Sequence, residues 1–388
     1  MASRRLLLIV VTVFTLAFPV AAADGVTVTE YVLPVSPLNL LVDPYGDIWF
    51  SSFQDNAIGK LDPGTGQIDL YTRQGSKNVW GLKRDAQGNL WFSTANGKAV
   101  GKFEPYMGKF LEWGVPCKPF GLEIDPVTGE IWFACQGVDE AWIYRFSPST
   151  NQGTHWSVSP FTNATDVDLS PSGDVWFTVQ PGYYQGVGRF DPVVEQIVIW
   201  TMPIPDSEPL RLIAEADTSI WFTESGTAAN AIAQFLPLTN TLRMFQVSTP
   251  ESNPWSLLIT GSQIWFTERG GNSLGRLDPG LATPTTATLL PSLIPYDPVV
   301  DAILPSSYII TPQVSSASIF TSTVTQIEAG GFLELRLAAA DSQPAGIAID
   351  ASQSTLWFAE TAANRIGKLE IGAAVSPSLF LPLIVRGD

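Results

Sequence analysis

Three glutamates stand at the same distance behind a Trp-Phe pair: Trp221-Phe222-Thr223-Glu224, Trp265-Phe266-Thr267-Glu268 and Trp357-Phe358-Ala359-Glu360. Carboxylates repeated at one phase can converge. Three hard oxygen donors suit Mg²⁺ or Ca²⁺, and Glu360 with Glu268 could supply a general base. The alternative is that all three are consensus residues pairing with Arg269 and backbone amides at a rim. Other chemistry lacks material. The chain has one histidine, His155, and two cysteines, too few for the usual histidine-based triads and zinc sites. No HExxH, P-loop or CxxC pattern occurs. Cys117 and Cys135, 18 residues apart, are disulfide candidates in an oxidising compartment, where closing such a loop contributes roughly 3 kcal/mol.

A second set of residues could bind without reacting. Trp80, Phe120, Arg211 and Trp255 fall where chain segments enter apolar runs; Gln54, Asp55, Gln180, Tyr183, Tyr184 and Arg269 follow the Trp-Phe segments. Aromatic faces with an arginine suit a sugar or another flat ligand. The same aromatics could equally plug a channel. His155, in Thr154-His155-Trp156-Ser157, falls on a different, polar strand phase and is not expected to react.

The elements that must position these residues come from a repeat. Trp-Phe occurs at 49, 91, 132, 176, 221, 265 and 357, and the first five spacings are 42, 41, 44, 45 and 44 residues. A period in the low forties with Gly, Pro and Asp turns, and no helical periodicity, is the mark of four-stranded propeller blades. Each unit has an apolar inner strand after a Pro, a turn such as Pro44-Tyr45-Gly46-Asp47, the Trp-Phe strand, and a third strand such as Ile58-Gly59-Lys60-Leu61. A more polar outer strand follows, as in Gln67-Ile68-Asp69-Leu70-Tyr71. The expectation is an all-β, seven-bladed propeller of four-stranded antiparallel blades over residues 24–372. Inner-strand entrances and Trp-Phe exits then share one face, around the channel mouth. The repeated Trp residues read as core, where each buried aromatic contributes roughly 2–3 kcal/mol.

The last Trp-Phe spacing is 92 residues, and the outer strand of blade six arrives only at Phe332-Leu333-Glu334-Leu335-Arg336-Leu337. Residues 281–329, rich in Pro, Ser and Thr, are therefore read as an insertion in blade six. It is expected to pack as a flap, with a small hairpin from Tyr308-Ile309-Ile310 and Ser318-Ile319-Phe320, or to bind a partner. The chain ends on a third strand, Arg365 to Glu370, so Thr27 to Leu33 is expected to supply the last outer strand and close the ring.

Composition bounds the setting. With 21 Lys+Arg against 37 Asp+Glu the formal net charge is −16, which disfavours nucleic acid and anionic bilayers. Arg4 and Arg5 precede an apolar run from Leu6 to Phe18 and the small residues Ala21-Ala22-Ala23. Residues 1–23 read as a signal peptide, too short to span a bilayer, with the mature chain secreted or held in the cell envelope. No later stretch reads as a transmembrane span, and 373–388 reads as a tail.

The units Pro-x-Gly-Ile/Leu, Gly-Asp/Asn-Ile/Leu-Trp-Phe-Thr-Glu and Ile-Gly-Arg/Lys-Leu-Asp-Pro resemble the streptogramin B (virginiamycin B) lyase family. The match is closest at Trp221 to Glu224, Trp265 to Glu268 and Leu274-Gly275-Arg276-Leu277-Asp278-Pro279. The resemblance implies a seven-bladed propeller whose active members open a cyclic depsipeptide by elimination, using Mg²⁺. It also implies a histidine after the inner-strand Pro in the last two blades, a glutamate before that Pro in the last, and another glutamate shortly after Trp-Phe. Those positions hold Trp255, Ala345, Gln343 and, within one residue, Glu360 or Thr361. The positioned imidazoles and part of the metal site are replaced. The expected function is thus an exported, non-enzymatic or degenerate propeller, monomeric, binding a small molecule, a glycan or a surface protein. A metal-dependent C–O lyase using Glu360 and Glu268 is the alternative, and a scaffold working through 281–329 is a third.

Overall fold

The computed structural model describes residues 26–73, 78–137, 139–180, 185–294 and 298–371. The signal-peptide and tail readings, like Tyr183 and Tyr184, lie outside the described residues. The fold is an all-β propeller of seven sheets. Blade 2 shows the plan: Val79–Arg84 lines the axis, followed outward by Leu90–Thr94, Ala99–Glu104 and Lys109–Gly114, all antiparallel. In blade 7 the fourth place is taken by Thr27–Val32, paired with Arg365–Glu370.

Between the blades lies the core. In blades 1 to 5 the Trp of the Trp-Phe pair stacks on an aromatic of its own fourth strand, as in Trp91 on Trp113 at 5.5 Å, Trp132 on Trp156 at 5.7 Å and Trp176 on Trp200 at 5.7 Å. That stack then packs against the following blade: Trp176, Val187 and Trp200 share one cluster with Leu212, Phe222 and Phe235. The Phe of the pair explains the Gly of the Gly-Lys/Arg motif in five blades. A Cβ on Gly59, Gly101, Gly188, Gly275 or Gly367 would fall 2.0–2.2 Å from the ring of the facing Phe. Blade 5 carries Ala233 opposite Phe222, and blade 3 carries Tyr144 stacked on Phe133 at 4.6 Å, with Gly153 of the next strand leaving room for the tyrosine. Gly275→Val is therefore expected to cost about 2–3 kcal/mol by overpacking; a urea midpoint within error of the parent would refute this role of the ring.

The blades have five strands, which corrects the expectation of four. Segment 281–329 is neither a flap nor a hairpin. It leaves blade 6 after Ser273–Leu277 and travels around the ring against the chain's own blade order, adding one strand to each. Thr285–Thr288 pairs with blade 5, Pro291–Ile294 with blade 4, Val299–Ala302 with blade 3, Pro305–Ile309 with blade 2, Gln313–Ser316 with blade 1 and Ser318–Thr323 with blade 7. Thr325–Ala329 then returns to blade 6, and Phe332–Arg336 completes it. Tyr308 and Phe320, expected to share a hairpin, lie on different blades. Sheet twist makes this path possible. Each strand is rotated roughly 20–25° from the last, so four steps turn the strand direction by about 80–100°. Strands parallel to the axis at the centre thus run along the circumference at the rim, end to end with those of the next blade.

Candidate functional site

The inner strands present their side chains to the axis in layers. Trp80, Phe120 and Trp255 hold one register position, two residues before Leu82, Leu122 and Leu257, which face the Phe of each Trp-Phe pair. They meet over the channel: Trp80 lies 5.4 Å from Phe120 and 6.2 Å from Trp255, with Phe53 edge-on at 5.6 Å. Trp80 and Trp255 belong to blades 2 and 6, so their contact crosses the bore and closes it. Above this closure is a cavity of about 250 Å³ lined by Trp80, Trp255, Phe53, Gln54, Arg269 and Thr361, together with Ser36 and Leu38.

Arg269 stacks over Trp255 at 4.4 Å and donates from Nη2 to Gln343 Oε1 at 3.2 Å. Burial lowers its pKa, since no carboxylate among the described residues pairs with it to compensate. Two indole N–H groups, Trp80 Nε1 and Trp255 Nε1, and the Thr361 hydroxyl are buried there without a hydrogen-bond partner among the described residues. The mouth is therefore a set of unused donors between aromatic faces.

Arg211 is not at the mouth. It lies one layer below, under Trp80 at 5.6 Å, ion-paired with Asp166 at 3.2 Å and donating to Asn39 Oδ1 at 3.0 Å. Burial raises the Asp166 pKa and Arg211 pulls it back. Deeper still, Lys83 bonds Glu123 beside Asp168, whose pKa rises to about 7 through burial and the neighbouring Glu123 carboxylate. Together these residues line a polar cavity of about 190 Å³ that the sequence reading did not foresee. Asp55 is also occupied elsewhere, accepting from Ser36 N at 2.9 Å and Ser52 Oγ at 2.7 Å. Gln180 donates to Pro209 O at 2.6 Å, joining blades 4 and 5. His155 stacks on Trp142 at 4.2 Å, with Nδ1 3.1 Å from Asp301 of segment 281–329.

The three glutamates do not gather. Glu224, Glu268 and Glu360 are each fully enclosed in their own blade, opposite Pro209, Pro254 and Pro344. Burial raises each pKa from the ordinary 4.5 to about 8, and the nearby Ser207, Ser252 and Ser342 offset a little of that shift. Glu268 is pushed further up by Glu334 and Glu360 by Glu30. Enclosed, proton-bearing carboxyls in three blades do not fit a shared Mg²⁺ or Ca²⁺. Among the described residues, no group of three or more His, Cys, Asp or Glu side chains is placed to hold a metal. Glu360 is enclosed in the blade while its neighbour Thr361 lines the mouth.

The equivalent positions of blade 3 hold the two cysteines. Cys117 stands two residues before Pro119, whose register partner is Cys135, and the two cysteines form a disulfide. Ser207, Ser252 and Ser342 stand two residues before Pro209, Pro254 and Pro344, whose partners are the glutamates. The Ser/Glu positions thus correspond to the two cysteines, but they form no tie: the Ser207, Ser252 and Ser342 hydroxyls donate to Gln185, Asn230 and Asn272 instead, and the glutamate oxygens have no hydrogen-bond partner among the described residues. The sequence signal was Ser-x-Pro followed by Trp-Phe-x-Glu.

The solved virginiamycin B lyase from Staphylococcus aureus has 21% sequence identity to this chain and a TM-score of 0.67, covering 88% of this chain and 98% of that one. A catalytically inactive variant of that enzyme, solved with quinupristin, aligns equally well, with 21% identity, TM-score 0.67 and the same coverage. An auxiliary nutrient binding protein from Bacteroides thetaiotaomicron aligns at 12% identity with TM-score 0.50, over 89% of this chain and 76% of that one. At these identities the likeness is one of fold. No curated protein matches the chain closely enough to count as a relative. The sequence model of the virginiamycin B lyase family matches residues 24–295, blades 1 to 6 as far as their third strand and on into segment 281–329, and on that match the chain belongs to the virginiamycin B lyase family.

Proposed function

We propose that the protein is an exported propeller that binds a small planar molecule bearing a carboxylate or similar oxygen acceptor at its mouth, without the family's elimination chemistry. The observation that carries this reading is Arg269, a cation stacked on Trp255 with no carboxylate partner among the described residues, beside two indole donors and a hydroxyl that lack acceptors. Buried donors left unpaired are costly, and a ligand oxygen relieves them. The flanking aromatic faces of Trp80, Trp255 and Phe53 supply the apolar area. Against catalysis stands the loss of the positions that the family resemblance singles out: Trp255 and Ala345 stand where it expects histidines and Gln343 where it expects a glutamate, and none can take a proton from carbon at neutral pH.

Tryptophan-fluorescence titration with an aromatic carboxylate and its neutral amide tests this. Arg269→Gln is expected to weaken carboxylate binding about 10- to 100-fold, the worth of a charge-assisted hydrogen bond, while leaving the amide unchanged. Trp255→Ala should weaken both. Equal affinity of parent and variants for both ligands would reject the mouth as the site. Turnover of a cyclic depsipeptide, lost in Glu360→Gln, would replace this reading with the lyase one.

A further inference from the structure

Segment 281–329 contains a second repeat, independent of the blades. Pro284, Pro291, Pro298, Pro305 and Pro312 recur every seven residues. In phase with them, five residues of the segment donate their backbone N–H to the last hairpin of successive partners: Leu289 to Asn240, Ile303 to Asn151, Ile310 to Gly108 and Ala317 to Gly66, then Val324 to Val26. The three latest of these intervals are seven residues each, and the first, from 289 to 303, is two sevens. The segment therefore advances one blade per seven residues. Its 49 residues, at about 3.3 Å each, reach roughly 160 Å, the circumference of a disc about 50 Å across.

Burial holds it only between its strands, where Ala282, Leu289, Ile303 and Val324 are buried in the blade cores and Ile310 and Ala317 pack beside them. Gln313–Ser316 is exposed at every residue and Ser318–Thr323 at nearly every one. Strands of four to six residues with both faces wet are marginal alone. A few side chains fix its register, among them Tyr308 on Glu112 and Asp301 under Tyr144. Its two ends are joined: Leu277 and Phe332 are register partners, and Asp278 N donates to Gly331 O at 2.8 Å.

We infer that segment 281–329 is an inextensible hoop, and that the continuity of its chain, beyond its hydrogen bonds, holds the seven blades together. The reason is geometric. An extended chain stands near 3.3 Å per residue and cannot exceed about 3.6 Å, so the hoop has only about a tenth of its length in reserve. Separating any two blades far enough to admit water to their shared core must strip hoop strands from several others. Seam opening thereby becomes a collective event, which slows unfolding more than it changes equilibrium stability.

Cutting the hoop separates continuity from pairing. A protease recognition sequence placed at Thr311, an exposed crossover between two hoop strands, lets one peptide bond be cut while every strand remains. The nicked protein is expected to keep its circular dichroism and unfold in denaturant roughly tenfold faster or more than the same protein uncut. A second variant deletes 281–329 and closes blade 6 through Asp278-Pro279-Gly280-Gly330-Gly331-Phe332; it should unfold at least as fast as the nicked form. Nicked and uncut proteins unfolding at one rate would overturn the hoop, leaving seven independent edge strands. That comparison stands even where the deletion fails to fold.

Discussion

The protein is expected to lose stability steadily between pH 5 and pH 8, and a variant with Glu224, Glu268 and Glu360 all replaced by Gln is expected to lose far less. In the folded state these carboxyls titrate at about 8, against 4.5 in an unfolded chain. Raising the folded pKa of an acid favours the folded state at low pH. Between the two values the unfolded chain releases a proton that the folded chain keeps, so unfolding becomes easier as pH rises. Each group contributes a slope of up to about 1.4 kcal/mol per pH unit. Even a fraction of that slope, summed over three groups, amounts to several kcal/mol across the window. Asp168, with its pKa near 7, adds a smaller loss of the same sign that the variant retains. Urea unfolding at pH 5, 6.5 and 8 measures the slope. If it is as steep in the triple variant as in the parent, the carboxyls are ionised and solvated, and the account of them as enclosed acids fails.

The second large effect is expected at Arg73 and Glu112. Both side chains are almost wholly buried where blades 1 and 2 meet the hoop, and they are ion-paired. Arg73 Nη1 also donates to Asn56 Oδ1 at 2.9 Å and Arg73 Nε to the Tyr308 hydroxyl at 3.1 Å, while the guanidinium lies 4.9 Å over Phe92. Glu112→Ala strands this buried cation and is expected to cost about 3–5 kcal/mol. Replacing both residues by leucine removes the charge along with its partner and should recover most of that loss. Denaturant midpoints of parent, single and double variants decide it; a single variant within about 1 kcal/mol of the parent would mean that water reaches the pair.

The blades were legible because each repeats a pattern with one physical cause: Trp for the seam, Phe for the sheet, Gly where that Phe lies. The place of the insertion was legible too, since an outer strand arriving at Phe332 left a gap in a regular count. Its path was not. Hoop strands bury little on either face, so no apolar alternation marks them, and their partners are up to some 290 residues away in sequence, as with Thr27 and Thr323. The proline period was printed in the chain but matched no blade length. At the mouth, Trp80, Trp255 and Arg269 were found from phase alone. The glutamates were misplaced because a strand's side chains alternate, and phase locates a residue along the strand without saying which face it takes. Arg211 failed for a related reason: its loop position suggested the rim, while its register placed it a layer down against Asp166.

The seven-residue step ties two repeats of unrelated length to one count. Propellers change size when a blade is duplicated or lost as a genetic unit. Here such an event would leave the encircling segment one step too short or too long, with every later contact displaced by a blade. An eighth blade could enter only together with a matching heptapeptide some distance away in the gene. The segment thus acts as a ruler, its seven-residue steps counting the blades of this ring.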